Sequence, residues 1–168
     1  ASVVYKRLFG MYFDGALPAS PAHGPAEQAV ADGLTAAVAT ADRKIGEELD
    51  FAGGLAAVFE FVKQVNGYLT EQAPWKVAKD ESEEGRARLA TILYTAAEAL
   101  RATAVLLNPV MPATAEKLWV SLGAEAAGLG ALSAQTVATA ADWGRLPAGA
   151  TVTKGEILFP RLEEKPAA

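Results

Sequence analysis

The residues best suited to binding chemistry lie in the segment EQAPWKVAKD, residues 71–80, where a tryptophan stands between a proline and a lysine. A flat indole ring at a protein surface stacks on unpaired nucleobases, at about 1–3 kcal/mol per base. Lysines beside such a ring can contact phosphates. Trp75 is therefore a candidate stacking platform, with Lys76 and Lys79 as candidate phosphate contacts. Spacing alone leaves a second interpretation open, in which Trp75 folds inward and plugs the end of a helical bundle.

The proline in this segment predicts how the tryptophan is presented. Proline restricts the residue before it and biases that residue away from helical geometry. The helix that precedes Pro74 should therefore end at Ala73, and Trp75 should begin a turn or a short new helical segment. This places the tryptophan at a tip of the predicted bundle.

The sequence has few residues suited to catalysis or to binding a metal or cofactor. A phosphate-binding loop of the Walker type, a dinucleotide GxGxxG motif and a nucleophile elbow are all missing. The chain has no cysteine and one histidine, His23, in the Pro/Gly-rich LPASPAHGP, where we expect a solvated loop residue. Glu60 and Glu98 lie beside apolar helix stripes, and we expect both to be solvated. The sequence thus predicts neither an enzyme active site nor a metal or cofactor site in this chain.

Composition and charge narrow the function classes further. The chain has 168 residues, 51% of them hydrophobic, and a net charge of -5. This length suits one domain. An acidic protein does not bind nucleic acid through its overall charge, so any contact with nucleic acid must be local. We expect no membrane span, because no apolar run approaches about 20 residues, and no signal peptide. The absence of cysteine fits a cytoplasmic location.

Apolar spacing of three and four residues predicts a series of helices. The first should end at FDGALP, where Gly15 can adopt a left-handed cap. Asp50 can cap the third, and Asp80 with Glu83 resembles a capping box for the fourth. Pro112 is suited to starting the fifth. The predicted helices cover residues 3–13, 26–46, 51–72, 82–107 and 113–122, with a weak short helix near 135–143.

The C-terminal segment TVTKGEILFPRLEE, beginning at residue 151, is the only β-like stretch. Ile157, Leu158 and Phe159 are expected to pack as an extended strap over the helices. The predicted fold is all-α, an antiparallel helix bundle formed by residues 1–147, with a short strap from residues 148–168 packing on the same domain.

Several segments together resemble a known family. VNGYLTEQAPWKVAKD, followed by a helix and LLNPVMPATAEKLWVSLG, is similar to the anticodon-binding domain of the methionyl-tRNA synthetases, which are class I aminoacyl-tRNA synthetases. YFDGALP near the start and KGEILFPRLE near the end match in the same order. The resemblance covers essentially the whole chain. Other class I synthetases with helical anticodon domains share proline breaks and tryptophans more loosely.

The resemblance assigns roles to residues around the tryptophan. It implies that Trp75 stacks on the first anticodon base, the C of CAU, and that Pro74 sets its approach. Asn66 and Tyr68 match an N-x-Y pattern and are expected mainly to brace the bundle beneath the tryptophan. Lys79 matches a basic position that touches the tRNA backbone. The implied partner is a methionine tRNA, with no role for DNA or a membrane.

Two departures from the family pattern affect these expectations. The family's first helix supplies an asparagine and an arginine that read anticodon bases, but here Val4 occupies the arginine position and the asparagine position precedes residue 1. Lys6 and Arg7 are the cations on this helix that could substitute.

The signatures of the synthetase catalytic half are also missing, namely His-x-Gly-His, Lys-Met-Ser-Lys-Ser and a cysteine zinc knuckle. The chain is therefore expected to be a fragment or isolated domain. Its catalytic partner domain would bind ATP and zinc. A different class of function, a helical domain that only packs against a partner, remains the alternative.

Overall fold

The amphipathic segments form helices in the computed structural model, which describes residues 10, 12–20, 23–153 and 158–159. One π-helical turn, Glu125–Leu129, and one 3-10 turn, Leu132–Ala134, follow the fifth helix. The helices are α1 (Pro25–Gly46), α2 (Phe51–Gln72), α3 (Pro74–Val77), α4 (Glu83–Leu107), α5 (Pro112–Ser121) and α6 (Val137–Ala141). The all-α prediction is confirmed for the described part of the chain.

The helix starts follow capping chemistry, with one correction. The Asp50 side chain accepts a hydrogen bond from the Gly53 N–H at 2.8 Å, and α5 begins at Pro112, as predicted. The capping box predicted for Asp80 and Glu83 is wrong. Ser82 is the N-cap of α4, because its hydroxyl accepts the Gly85 N–H at 3.0 Å.

Helices α1 and α2 form an antiparallel pair. Near the start of α1 and the end of α2, the Tyr68 hydroxyl donates to Glu27 at 2.6 Å. At the other end of the pair, Gly54 at the start of α2 approaches Ile45 at the end of α1. Because a β-carbon at Gly54 would lie 2.5 Å from Ile45, this close crossing requires a glycine.

Helix α4 is the central element of the bundle and contacts α1, α2, α3, α5 and α6. On one side Leu93 joins a core that contains Trp119 of α5, and on the other Ile92 joins a core that contains Phe61 of α2. A helix covered on all sides is mostly apolar around its circumference, and the few polar residues it carries there must be satisfied within the protein. This explains why α4 has no polar face along its middle.

The same apolar character corrects one expectation from the sequence. Helix α4 has an 18-residue window of mean hydropathy 1.3 and meets the length and composition criteria for a membrane span, although no such run was expected. Of that window, 89% is buried inside the protein. The hydropathy of α4 is therefore accounted for by its position in the core of the bundle.

The start of the predicted strap pairs with the chain near residue 16. The Leu17 N–H donates to Ala150, and the Val152 N–H donates to Gly15, at 2.8 and 2.7 Å. Gly15 has φ +76°, the left-handed conformation predicted for it. Phe159 is 68% exposed, so the expectation that it packs over the helices is wrong. Ile157 lies outside the described residues.

The predicted first helix is described only at its end. Gly10 and Tyr12 have helical backbone conformation, and Tyr12 packs against the core around Trp119. Lys6 and Arg7, the proposed substitutes for the family's base readers, lie outside the described residues, as does Val4.

Candidate nucleic-acid interface

The chain breaks between α2 and α3 at the residue that the proline predicts. Ala73 adopts a left-handed conformation, with φ 43° and ψ 60°, and its N–H donates to Leu69 at 3.1 Å. Pro74 is buried and opens α3, where the Ala78 N–H donates to the Pro74 carbonyl at 2.9 Å. We call residues 73–80 the tryptophan turn. Its backbone is held by hydrogen bonds and by the burial of Pro74 and Ala78.

Trp75 lies at the surface of the tryptophan turn, 43% exposed, and Lys76 and Lys79 are exposed beside it. Trp119 is an example of a tryptophan that packs into the core of this fold. It has no exposed surface, and its indole N–H donates to the Gly130 carbonyl at 3.1 Å. The interpretation in which Trp75 plugs the bundle is therefore wrong, because a large part of its side chain is accessible to solvent.

The N-x-Y pattern divides into one buried and one exposed residue. Tyr68 is 5% exposed and donates to Glu27, so it braces the end of α2 as expected. Asn66 is exposed, so the expectation that it braces the bundle is wrong for this residue. Asn66 therefore belongs to the solvent-exposed side of α2.

A buried carboxylate that the sequence did not reveal lies beneath the tryptophan turn. Glu27 of α1 is 1% exposed and accepts from Tyr68, from Arg88 at 3.0 Å and from the Gly24 N–H at 3.0 Å. Burial raises the pKa of Glu27, but the hydrogen bonds from Arg88 and Tyr68 and the charge of Arg88 outweigh burial and hold that pKa below its ordinary value. Glu27 is thus a buried anion.

Arg88 connects this carboxylate to the last residue of α2. Its guanidinium also donates to the side chain of Gln72, which directly precedes Ala73. We call Glu27, Tyr68, Gln72 and Arg88 the Glu27 network. It joins the start of α1, the end of α2 and the start of α4. Burial and the hydrogen bond to Glu27 raise the pKa of Tyr68, so the phenol stays protonated as a donor.

Charges of both signs surround the tryptophan, as the sequence indicated. The Ser82 hydroxyl and N–H hydrogen-bond to Asp80 and lower the pKa of that carboxyl, which therefore stays negative. On α2, Lys63 pairs with Glu60 at 3.4 Å, and both side chains are more than 70% exposed. The region therefore has individual exposed lysines among acidic residues rather than a broad positive surface.

Glu98 corrects another expectation, since it is fully buried rather than solvated. It accepts from Arg101 Nε at 2.7 Å and from the backbone N–H groups of residues 144–146 at 3.0–3.1 Å. Arg101 in turn donates to the carbonyls of Thr139, Ala140 and Asp142. This Glu98–Arg101 pair fastens the segment after α6 to the centre of α4. A carboxylate three residues before an arginine inside an apolar run was its only signal in the sequence.

The part of the chain that the structure describes gives no support for a metal site. No three His, Cys, Asp or Glu side chains there are grouped to hold an ion. His23 is exposed, as predicted, and its ring meets the edge of Trp143 with centroids 6.4 Å apart.

The other end of the α1–α2 pair has an apolar groove of about 800 Å³. Ile45 and Phe51 line one side, and Val110 and Val137 line the other. Phe51 is 66% exposed and Val110 57%. The α2 helix, 22 residues long, separates this groove from the tryptophan turn by roughly 30 Å.

The fold and the site together define a helical module that presents an aromatic ring at a helix break. A family model described as the anticodon binding domain of methionyl tRNA ligase matches residues 17–168. The chain belongs to this family.

Relatives of known name agree with the family match. The methionine–tRNA ligase of Streptomyces coelicolor is 76% identical over 161 residues, covering 96% of this chain and 30% of the relative. That of Caldanaerobacter subterraneus is 34% identical, covering 90% of this chain and 22% of the relative. The chain therefore spans about a third or less of the length of the relatives it matches.

Solved structures support the fold. The Mycobacterium tuberculosis methionyl-tRNA synthetase in its free state superposes with a TM-score of 0.84 at 24% identity, over 98% of this chain and 31% of that chain. The same enzyme in complex with methionyl-adenylate gives 0.78 at 27% identity, over 95% and 30%. The resemblance stated from the sequence is confirmed.

Proposed function

We propose that this chain is the anticodon-recognising part of a methionine–tRNA ligase and that it binds a methionine tRNA through its CAU anticodon. The observation that carries the proposal is the 43% exposure of Trp75 at a rigid helix break, in a chain of this family. The complete enzyme would activate methionine with ATP and transfer it to the tRNA. A cytoplasmic location is part of the same proposal, because charged tRNA is consumed in translation there.

Residues of the tryptophan turn and of α2 have different roles in the proposed recognition of the anticodon. Trp75 stacks on the first anticodon base once that loop is unstacked. The buried Pro74 limits the approach of the ring, because its fixed φ and its packing hold the backbone that leads into Trp75. Lys76 and Lys79 meet backbone phosphates, which position the loop without reading its sequence. Asn66, exposed on α2, offers an amide that can hydrogen-bond a base edge or ribose.

The N-terminal residues of the chain are assigned to the same interface in this proposal. Lys6 and Arg7 would supply positive charge there, in place of the base readers that the resemblance implies for the family. Both the reaction with ATP and any zinc site are assigned to the remainder of the enzyme. Since the chain has a net charge of -5, we expect weak binding by the chain alone.

Binding of the 168-residue chain to two RNA stem-loops tests the proposal. One carries CAU, and the other differs only at the first anticodon base. We expect tighter binding to CAU and a loss of roughly 5- to 150-fold on Trp75→Ala, the equivalent of one stacked base. Trp75→Phe is the matched control, since it keeps an aromatic face. Equal affinity of the wild-type chain for both RNAs would sink the proposal.

The apolar groove favours a second role beside the first. Exposed Phe51 and Val110 form the kind of surface that is normally covered by another protein surface. A helical domain that packs against a partner was the structural alternative from the sequence, without a stated location for the contact. The two roles use opposite ends of α2, so Phe51→Ser should leave discrimination between the two RNAs unchanged. A loss of discrimination on Phe51→Ser would instead link the groove to RNA binding.

A further inference from the structure

We infer that Arg88 is a positioning residue for Trp75, acting through Gln72 and Glu27 to fix the end of α2 from which the tryptophan turn departs. The inference rests on the proposed function, because the quantity that Arg88 would control is the fit of the indole ring to an anticodon base. Arg88 lies on α4, between the two sequence segments quoted for the family resemblance, and the resemblance assigned it no role.

The geometry makes Arg88 the only charged link in the Glu27 network between α4 and the end of α2. Its guanidinium binds Glu27 at 3.0 Å and also donates to Gln72, the residue next to Ala73. Tyr68, one turn before Gln72, donates to the same Glu27 oxygen. The last turn of α2 is thus held at two successive positions, against α1 through Glu27 and against α4 through Arg88.

The tryptophan turn needs such support because its first residue is strained. Ala73 holds a left-handed conformation, which a residue with a β-carbon rarely adopts and which persists only where the surroundings enforce it. Pro74 then transmits the orientation of Ala73 to Trp75, because its own φ is fixed. A released α2 end would let Ala73 relax and let the indole ring sample other orientations.

Arginine suits this position better than lysine. The planar guanidinium can hydrogen-bond two acceptors in fixed directions, whereas an ammonium is a compact point charge on a flexible stem. Arg88 is 35% exposed, so its own desolvation is incomplete. Its removal should disturb the turn and also leave the buried Glu27 without a counter-charge.

The test compares Arg88→Met and Arg88→Lys with Arg86→Met in the full chain. Arg86 is exposed on the same helix two residues earlier and is not part of the Glu27 network, so its loss removes an equal charge without releasing α2. Two quantities are measured, the ratio of affinities for the CAU stem-loop and its first-base variant, and the fluorine NMR spectrum of the 5-fluorotryptophan-labelled chain. Trp75→Phe assigns the resonance of Trp75 among the three tryptophans.

Arg88→Met should reduce the affinity ratio by roughly 2- to 30-fold and shift or broaden the Trp75 resonance alone. Arg88→Lys should recover only part of the ratio. Arg86→Met should weaken binding to both RNAs equally, with the Trp75 resonance unchanged.

Different results would overturn the inference or the proposed function separately. If Trp75→Ala abolishes discrimination while Arg88→Met behaves like Arg86→Met, Arg88 supplies charge only and the inference fails. If the wild-type chain does not discriminate between the RNAs, the proposed function fails. In that case a Trp75 resonance perturbed by Arg88→Met would still show that Arg88 influences the surroundings of Trp75.

Discussion

The Glu98–Arg101 pair and the tryptophan turn each place a residue type where it is seldom found, yet their surroundings differ completely. Glu98 and Arg101 are charges without any exposed surface in the middle of α4, whereas Trp75 is a large aromatic with 43% of its surface in water. Both carboxylate oxygens of Glu98 accept hydrogen bonds. Arg101 also donates to three backbone carbonyls.

The difference lies in whether the protein itself compensates for the unusual placement. A buried charge is tolerated only when its partners and hydrogen bonds replace the lost water, so the Glu98–Arg101 pair is satisfied within the protein. Exposed apolar surface at Trp75 is left uncompensated by the protein. An unsatisfied surface of this kind is where a ligand can gain free energy. We therefore attribute a stabilising role to the buried pair and propose a binding role for the tryptophan turn.

The largest effect is expected from Glu98→Gln. The amide leaves Arg101 buried without a counter-charge, and with its oxygen in the place of Oε1 its NH2 group faces the N–H donor of Leu146. We expect the free energy of unfolding to fall by about 3–5 kcal/mol, measured by urea denaturation. Discrimination between the two RNAs should persist where the variant is folded.

Glu60→Gln provides the control for this first comparison. Glu60 is an exposed glutamate on α2 with a single surface ion pair, so its replacement should change the free energy of unfolding by no more than about 0.5 kcal/mol. Similar losses for Glu98→Gln and Glu60→Gln would refute the assignment of Glu98 to stability.

Glu27→Gln should have an intermediate and pH-dependent effect. The folded-state pKa of Glu27 is lowered, so its ionised form contributes stability above its unfolded pKa, and this contribution is lost as pH falls through the folded pKa. The free energy of unfolding of the variant should lie below that of the wild type at neutral pH, by about 1–3 kcal/mol. The two should converge in acid, as measured by urea denaturation from pH 7 downwards. A difference that is constant with pH would contradict an ionised Glu27.

Trp75→Ala should reverse the pattern of Glu98→Gln. Binding to the CAU stem-loop should weaken by about 1–3 kcal/mol, because one base loses its stacking surface. The free energy of unfolding should fall by less than the roughly 3–5 kcal/mol expected for Trp119→Ala, which removes a fully buried tryptophan. Equal destabilisation by the two substitutions, measured by thermal unfolding, would show that Trp75 belongs to the core.

Lys79→Met should have the smallest effect and the least specific one. One lost phosphate contact weakens binding to both RNAs about equally, and the slope of log affinity against log salt should decrease in magnitude by about 1. Fluorescence titrations at several salt concentrations measure this slope. A selective loss for CAU alone would instead make Lys79 a base-reading residue.

Local chemistry allowed most of the fold to be predicted from the sequence. The break at Ala73, the cap at Asp50 and the start of α5 at Pro112 depend on short-range geometry, and all three agree with the structure. The π-helical and 3-10 turns after α5 were missed, because their small residues show no periodicity. The exposure of Phe159 was missed because an apolar run indicates burial without identifying what would cover it.

For the site, the sequence by itself determined where the chain must break and which aromatic side chain follows the break. Proline and tryptophan fix these through backbone geometry and side-chain size, which need no distant partner. Only the tertiary structure decided that Trp75 faces outward, that Glu98 is buried and that Glu27, Tyr68, Gln72 and Arg88 meet. These outcomes depend on contacts between residues far apart in the chain, and the free energy of burying a charge is favourable only once all its partners have been brought together.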